Sequence, residues 1–283
     1  MAIDRLKAAW QPLTFSGVAR FAVASRWRLL SVELFFALLV AVVSVCFVQQ
    51  AWVPVVDGAI GKMPATGEIR GGQLAWPEGG LLQEEGPFMR IDVTPGGFTN
   101  VVETADLVLA FGPSNLRLGS NLGFGLLTLS YPTGWIVSFN KSELEPWWGA
   151  RSHMVLGGFG LGIILMLLCA WSALGWLYTF PVKIFSANQV GWAGAKKIAI
   201  ASQMPGAFVM SIGIVIYGLK QIDLVALLMV WCGHLVLPWV YMMFSPILAP
   251  KLPKPKKNKP RRQEGKNPFD ESSGSSDNPF GVE

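Results

Sequence analysis

The sequence predicts a membrane α-helical bundle of four transmembrane helices, with a small β-rich extracytoplasmic domain inserted after the first helix. Two observations predict this fold class. Four stretches are almost free of charge, and each can span a bilayer core, which needs roughly 20 helical residues. The first two stretches flank about a hundred residues that are rich in Gly and Pro and carry net negative charge. The four stretches are residues 34–48, 154–180, 198–217 and 224–244.

The composition of the whole chain also indicates a membrane protein. Of its 283 residues, 52% are hydrophobic and 14% are charged. Charged residues make up about a quarter of a typical soluble domain. A lipid bilayer is therefore the solvent predicted for much of the chain.

The distribution of Lys and Arg predicts the orientation, because cytoplasmic loops carry an excess of these residues. Residues 1–28 contain five of them, and the segment after residue 244 contains eight. Residues 52–150 instead hold five basic residues against ten acidic ones. We therefore predict a multipass protein of the inner (plasma) membrane with both termini in the cytoplasm.

These patterns divide the chain into nine segments. They are a cytoplasmic amphipathic N-terminal segment (1–28), transmembrane helices at 29–51, 153–180, 198–217 and 224–245, the extracytoplasmic domain (52–152), a cytoplasmic linker (181–197), an outside turn (218–223) and a disordered basic cytoplasmic tail (246–283).

The first apolar stretch is predicted to remain in the protein as a signal anchor. It is longer than the roughly 7 to 15 residues of the apolar region of a signal peptide, and residues 48–52 lack a small-x-small cleavage pattern. The cysteines Cys46, Cys169 and Cys232 all lie in predicted spans. The extracytoplasmic domain is therefore expected to depend on packing and not on disulfides.

The extracytoplasmic domain is predicted to be mostly strand. Residues 95–97, 112–115 and 131–134 favour turns, because Pro presets φ and Gly or Asn accepts a positive φ. Alternation over residues 126–131 predicts one buried and one wetter face, and Glu84 and Glu85 are interpreted as part of a solvated loop. The predicted strands are residues 67–76, 88–93, 106–111, 124–131 and 134–139.

Three tryptophans lie where the predicted spans meet the extracytoplasmic domain. Trp52 follows the first span, and Trp147 and Trp148 precede the second. Because tryptophan is enriched at the membrane–water interface, we predict that all three are membrane-interface residues. Stacking of a ligand on these rings is the alternative.

The residues needed for common catalytic chemistry are not grouped in the sequence. The histidines are His153, at a membrane boundary, and His234, in the fourth span near Cys232. A zinc site takes three or four ligands, and Cys232 and His234 would supply only two. We therefore interpret His234 as a histidine that is hydrogen-bonded within the bundle. Ser-His-Asp catalysis needs a histidine facing a Ser or Asp in one pocket. We predict no catalytic residue, no metal and no cofactor, and a protein that is not an enzyme.

A few residues in the spans leave a transport role open. Glu33 is an ionisable group that could belong to a pathway, although a place at the cytoplasmic headgroup boundary is the simpler interpretation. Pro205 and Pro238 should kink the third and fourth spans. Gly158 and Gly162 have the GxxxG spacing that lets another helix approach closely.

The tail is predicted to be disordered, because Pro, Lys, Ser and Gly dominate it and it has few apolar residues. Its basic run at 254–262 is predicted to contact anionic lipid headgroups and not nucleic acid, since the bilayer is close. The tail also holds two Asn-Pro-Phe tripeptides, which resemble peptides bound by eukaryotic endocytic EH domains. A solvated tail that contacts a partner weakly is the simpler interpretation. The tripeptide residues are Asn267, Pro268, Phe269, Asn278, Pro279 and Phe280.

Short motifs along the chain also carry a family resemblance. They are PATGEIRGGQL at 64–74, RIDVT at 90–94, PVKIF at 181–185, Lys196-Lys197 and Met204-Pro205. With the order of the parts, the first two motifs resemble a family of bacterial multipass membrane proteins of unknown function, some associated with maltodextrin-utilisation operons. The later motifs are similar to a pattern of the wider Yip-type membrane families. The resemblance covers about residues 12–248 and implies the same topology, but no catalytic residues.

These observations predict a non-enzymatic protein whose extracytoplasmic domain binds a ligand or a protein, in a sensor, scaffold or accessory role. The expected partners are the lipid bilayer, anionic lipid headgroups at the cytoplasmic face and a membrane or envelope protein. Two alternatives remain open at this point. One is a transporter or a transporter accessory subunit, and the other is a trafficking adaptor that acts through the tail.

Overall fold

The computed structural model describes residues 11–77, 80–96, 105–120, 127–187 and 189–249. This part of the chain is mostly helical, and it also contains a small region of β-sheet. Four helical stretches are long and apolar enough to cross a membrane, namely Arg26–Lys62, Lys141–Leu177, Trp192–Gly218 and Leu224–Leu248. The sequence-based prediction of four such helices with an inserted sheet region is confirmed at this level.

Four of the described helices begin at residues whose side chains satisfy free backbone N–H groups. Thr14, Ser25, Asn140 and Asp223 each accept a hydrogen bond from the backbone N–H three residues later. The helices are α1 (Phe15–Arg20), α2 (Arg26–Ala51), α3 (Val53–Lys62), α4 (Lys141–Leu177), α5 (Thr179–Phe185), α6 (Trp192–Ala201), α7 (Met204–Gly218) and α8 (Leu224–Phe244), with short 3₁₀ helices at Phe21–Val23 and Ser245–Leu248.

The long helices form a bundle in which α2 packs against α4 and α7, and α7 packs against α8. The bundle has its largest buried cluster at the end where α1 and α6 lie, with Phe21, Ile198 and Met204 among its members. Along the sides of the helices, large apolar residues such as Leu165 and Met229 remain more than half exposed. An apolar outer surface is what a helix bundle presents to lipid.

The strands form two small sheets. The three-stranded sheet has the order β2-β1-β8, and the five-stranded sheet has the order β3-β4-β5-β6-β7. All neighbours are antiparallel except β4 and β5, which are parallel. The strands are β1 (Glu68–Arg70), β2 (Gln73–Ala75), β3 (Leu82–Glu85), β4 (Met89–Val93), β5 (Leu107–Phe111), β6 (Asn115–Gly119), β7 (Leu127–Ser130) and β8 (Ile136–Ser138).

Several strand predictions are wrong in detail. Residues 67–76 form a hairpin and not one strand, because Gly71 and Gly72 turn the chain with φ values of 61° and 79°. Glu84 and Glu85 lie in β3 and not in a loop, and Glu84 forms an ion pair with Lys62 of α3. The predicted buried face within residues 126–131 is not observed over β7, where all four residues are exposed.

Helix α3 was not predicted and positions the sheets. It follows α2 after Trp52, and its residues Val55 and Ala59 are buried in a cluster with Ile91 and Val93 of β4. The five-stranded sheet therefore packs on a helix that continues the first apolar helix. A single helical stretch of 37 residues, Arg26–Lys62, contributes α2 to the helix bundle and α3 to the support of the sheet. We call α3 and the eight strands the β domain.

Candidate interaction surface of the β domain

A buried aromatic cluster joins the β domain to the long helices. The ring centroids of Phe47 and Phe88 are 5.3 Å apart, and those of Phe88 and Tyr217 are 4.8 Å apart. The Tyr217 hydroxyl also donates a hydrogen bond to Oδ2 of Asp106 over 2.5 Å. We call these four residues the aromatic joint. It connects α2 and α7 with the residues just before β4 and β5. The sheet is therefore held to the helices by these side-chain contacts as well as by the chain connections.

A cleft of about 700 Å³ lies between β8 and the first turns of α4. Alternate side chains of a strand point to opposite faces. Three consecutive residues of β8 line the cleft. The cleft is therefore bordered by the edge of the strand and not by one of its faces alone. The other lining residues all come from α4. The full lining is Ile136, Val137, Ser138, Glu143, Leu144, Pro146, Trp147 and Arg151.

The α4 wall of this cleft, which we call the β8 cleft, offers several kinds of contact. Trp147 is 47% exposed, and the Arg151 guanidinium carbon lies 5.5 Å from its ring centroid. Glu143 adds a carboxylate. Pro146 has no N–H for the carbonyl of Ser142, one turn earlier, so that carbonyl lacks its usual helical donor. The wall therefore presents apolar area and both charges.

The edges of both sheets carry exposed apolar side chains. Trp135 and Ile136 are 60% and 66% exposed, and Leu127 and Leu129 of β7 are 53% and 46% exposed. In the ranges that the structure describes, β7 and β8 each have only one neighbouring strand. An exposed strand edge is a template for pairing with another chain, so these residues form a surface suited to association.

Tyr131 fixes the connection between the two edge strands. Its hydroxyl donates to the carbonyl of Gly112 over 3.1 Å. Burial raises the pKa of Tyr131 to about 12, because the charged phenolate is poorly solvated there. The side chain is therefore a neutral donor at physiological pH, and it holds the segment between β7 and β8 against the loop after β5.

A buried ion pair lies on the face of the five-stranded sheet that points away from α3. Asp92 of β4 is fully buried, and Nε of Arg90 donates to its Oδ1 over 2.9 Å. Oδ2 of Asp92 and Oγ1 of Thr94 are buried without a hydrogen-bond partner in the described residues. Buried polar atoms of this kind are costly, so this face tolerates change poorly.

The structure places the three predicted interface tryptophans in different surroundings. Trp147 lines the β8 cleft. The indole N–H of Trp148 donates to Oδ1 of Asp57 over 2.6 Å, linking α4 to α3. The Trp52 ring packs against Phe47, with 5.9 Å between centroids, and its N–H is buried without a partner among described residues. The interface role remains a prediction for all three.

The other residues singled out by the sequence do not form a site with these. Nδ1 of His234 lies 2.5 Å from the carbonyl oxygen of Trp231 within α8, so the ring is hydrogen-bonded inside its own helix. Glu33 is buried at the far end of the bundle from the β domain. Within the described ranges, no three His, Cys, Asp or Glu side chains come together as metal ligands. Both Asn-Pro-Phe tripeptides lie outside the described residues.

Sequence reasoning missed the aromatic joint and the exposed pair Trp135 and Ile136. One signal for the pair was available, because two large apolar residues directly follow the turn at 131–134. Tyr217 and Asp106 are 111 residues apart in sequence, and nothing local in either segment indicates that they meet.

In comparisons with protein-family models, curated proteins and solved structures, none matches the chain.

Proposed function

We propose that the chain is a non-enzymatic multipass protein of the inner membrane whose β domain, on the outer side, binds an extended segment of an envelope or membrane protein. The observation that carries this proposal is the β8 cleft, where a strand edge is open beside exposed Trp135, Ile136 and Trp147. Extended peptides bind in this way by adding a strand to an open sheet edge, with pockets for alternate side chains.

The chemistry of the cleft favours a polypeptide over a small polar ligand. A strand edge offers backbone N–H and C=O groups in a row, which a second strand can satisfy all at once. The apolar walls from Leu144 and Trp147 suit large side chains, and Glu143 and Arg151 can each pair with a charge on the partner. A single small molecule would leave most of these backbone groups to water.

The placement of the cleft supports a sensor or scaffold role. Phe139 and Asn140 alone separate β8 from α4, a helix long enough to span the membrane. The aromatic joint adds a second connection, to α2 and α7. A partner bound at β8 would therefore contact both the sheet and a spanning helix, and its binding free energy can bias their relative arrangement.

Site-specific crosslinking in native membranes tests this proposal. A photoactivatable amino acid at Ile136, which is 66% exposed, should capture one partner of defined mass. The same amino acid at Leu81, which is 61% exposed, serves as the matched control. Leu81 precedes β3, an edge strand of the five-stranded sheet, whereas Ile136 lies in the three-stranded sheet.

The expected result is a discrete crosslinked species at position 136 that is absent at position 81. The change Ile136→Glu should then abolish co-purification of the captured protein, because a carboxylate would have to be buried at the interface. Equal capture at both positions, or unchanged co-purification of the partner with Ile136→Glu, would overturn the assignment of the β8 cleft.

A further inference from the structure

A second cavity lies at the end of the bundle away from the β domain. It has a volume of about 790 Å³, within the range of roughly 300–1,000 Å³ that is usual for ligand sites. Its walls come from the end of α4, from α5, from the start of α6 and from α8. The residues that matter for its chemistry are Trp176, Phe180, Trp192, Lys196 and Trp239.

The aromatic walls are exposed to the surroundings of the bundle. Trp176, Phe180 and Trp192 are 74%, 64% and 64% exposed, and Trp239 is 44% exposed. The Trp239 ring is held by Tyr178, with 5.2 Å between centroids. Tryptophans at the ends of spanning helices lie at the level of the lipid headgroups. The cavity therefore opens where acyl chains and headgroups meet.

The charge around this cavity is net positive. Lys196 is the charged residue of the lining. It is exposed, and it makes no hydrogen bond with the residues that the structure describes. Lys183 and Lys197 lie nearby and donate to the carbonyls of Val190 and Ala24 over 2.8 and 2.6 Å. The buried carboxyl group of Glu33 interacts electrostatically with Lys196, so the lysines outnumber the acid among these four described residues.

We infer that this cavity binds an acidic phospholipid, with an acyl chain against Trp176 and Trp239 and its phosphate at Lys196. The polar lining is too sparse for a water-soluble ligand. The Thr179 hydroxyl, for example, already donates to the carbonyl of Gly175 over 2.7 Å. An acidic lipid matches both the apolar walls and the positive charge, and it reaches the cavity from the bilayer itself.

Native mass spectrometry of the full chain tests this inference. The protein would be equilibrated with vesicles of phosphatidylglycerol or of phosphatidylcholine, extracted in a mild detergent, and measured for retained lipid. Wild-type protein should retain one phosphatidylglycerol more firmly than phosphatidylcholine. Lys196→Gln removes the charge but keeps a polar side chain, and it should reduce that preference about fivefold. Lys141→Gln, at the start of α4 beside the β domain, is the matched control and should leave the preference unchanged.

A second variant covers the case in which Lys196→Gln fails to fold. Trp192 is exposed, so Trp192→Leu should fold, keep Lys196 and still retain less lipid, because it removes part of the apolar wall. Equal retention of the two lipids by wild-type protein would overturn the inference. So would equal behaviour of Lys196→Gln and Lys141→Gln. Neither result bears on the partner proposed for the β8 cleft.

Discussion

The hydroxyl of Tyr217, at the end of α7, donates a hydrogen bond of 2.5 Å to the carboxylate of Asp106, immediately before β5. Tyr217 is 5% exposed and packs against Phe47 and Phe88. Hydrogen bonds to charged acceptors contribute about twice as much as neutral ones. This contact is therefore a main non-covalent connection between the β domain and the helices.

Removing the Tyr217 hydroxyl should loosen the β domain on the bundle. Tyr217→Phe keeps the ring but leaves the Asp106 carboxylate without its donor, at an expected cost of about 1.5–3 kcal/mol. We expect a lower midpoint of thermal unfolding in detergent and faster cleavage of residues 53–140 by protease. Asp106→Asn should give a smaller change, and the double variant should cost less than the sum of the two.

Tyr241→Phe is the matched control for this experiment. The Tyr241 hydroxyl donates to the carbonyl of Leu13 over 2.7 Å, at the opposite end of the bundle. Its loss should leave protease cleavage of the β domain at the wild-type rate. Equal cleavage of the Tyr217→Phe and Tyr241→Phe variants would mean that the aromatic joint does not hold the domain in place.

Because Asp92 and Arg90 form a buried ion pair, we expect the stability of the five-stranded sheet to depend strongly on the Asp92 carboxylate. Asp92→Ala would leave the Arg90 guanidinium, whose side chain is 13% exposed, without this acceptor. Removing one partner of a buried pair costs roughly 3–5 kcal/mol. We expect the β domain of this variant to be cleaved rapidly by protease at a temperature where the wild-type domain resists cleavage.

Two variants calibrate this effect. Asp92→Asn keeps an oxygen that can accept from Arg90 Nε, so its loss of stability should be smaller. Glu68→Gln changes an exposed pair with Arg70, in which the charged atoms are 3.7 Å apart. Exposed pairs contribute about 0–1 kcal/mol, so this variant should resemble the wild type. A β domain that is as stable with Asp92→Ala as with Glu68→Gln contradicts the prediction.

The apolar helices were predictable because the absence of charge over a long stretch is a local property of the sequence. Helix α3 was not predictable in the same way. Its sequence, VPVVDGAIGK, has Pro and two glycines, which argue against a helix, and its burial beneath β4 outweighs that preference. The surroundings of the candidate site residues were likewise not predictable from local sequence. Trp52, Trp147 and Trp148 have similar positions relative to the spans, but their neighbours come from distant segments.

The glycines of the spans show the same dependence on tertiary contacts. A Cβ on Gly206 of α7 would lie 2.6 Å from the carbonyl oxygen of His234 in α8. Pro238 lies one turn after His234 and has no N–H to bond that carbonyl, and α7 approaches α8 closely at this position. Gly158 and Gly162, which the GxxxG spacing favoured, have no atom within 4 Å of such a Cβ. Among the described residues of α4, the close contacts are instead at Gly160 and Gly175, where a Cβ would lie 3.0 Å from Val45 and nearer still to Ile200.

Substitutions at these glycines should therefore differ. Gly206→Ala forces a clash with backbone atoms and should cost about 1–3 kcal/mol, as overpacking does. Gly158→Ala should leave the midpoint of thermal unfolding in detergent unchanged or slightly raised, since Ala is the better helix former. Destabilisation by Gly158→Ala and not by Gly206→Ala would show that the second apolar helix makes the closer contact.

The last prediction tests the proposed orientation of the chain in the membrane. Cys46, Cys169 and Cys232 can be changed to Ala, which leaves a background without thiols. Ser142→Cys, at the start of α4, should then react with a membrane-impermeant maleimide on intact spheroplasts, because the proposed orientation puts the β domain outside. Gln189→Cys, between α5 and α6, should react only after permeabilisation. Both side chains are exposed, so a difference in labelling reports the side of the membrane and not burial. The reverse pattern would put the β8 cleft in the cytoplasm and exclude an envelope protein as its partner, while labelling of both positions in intact cells would contradict a spanning α4.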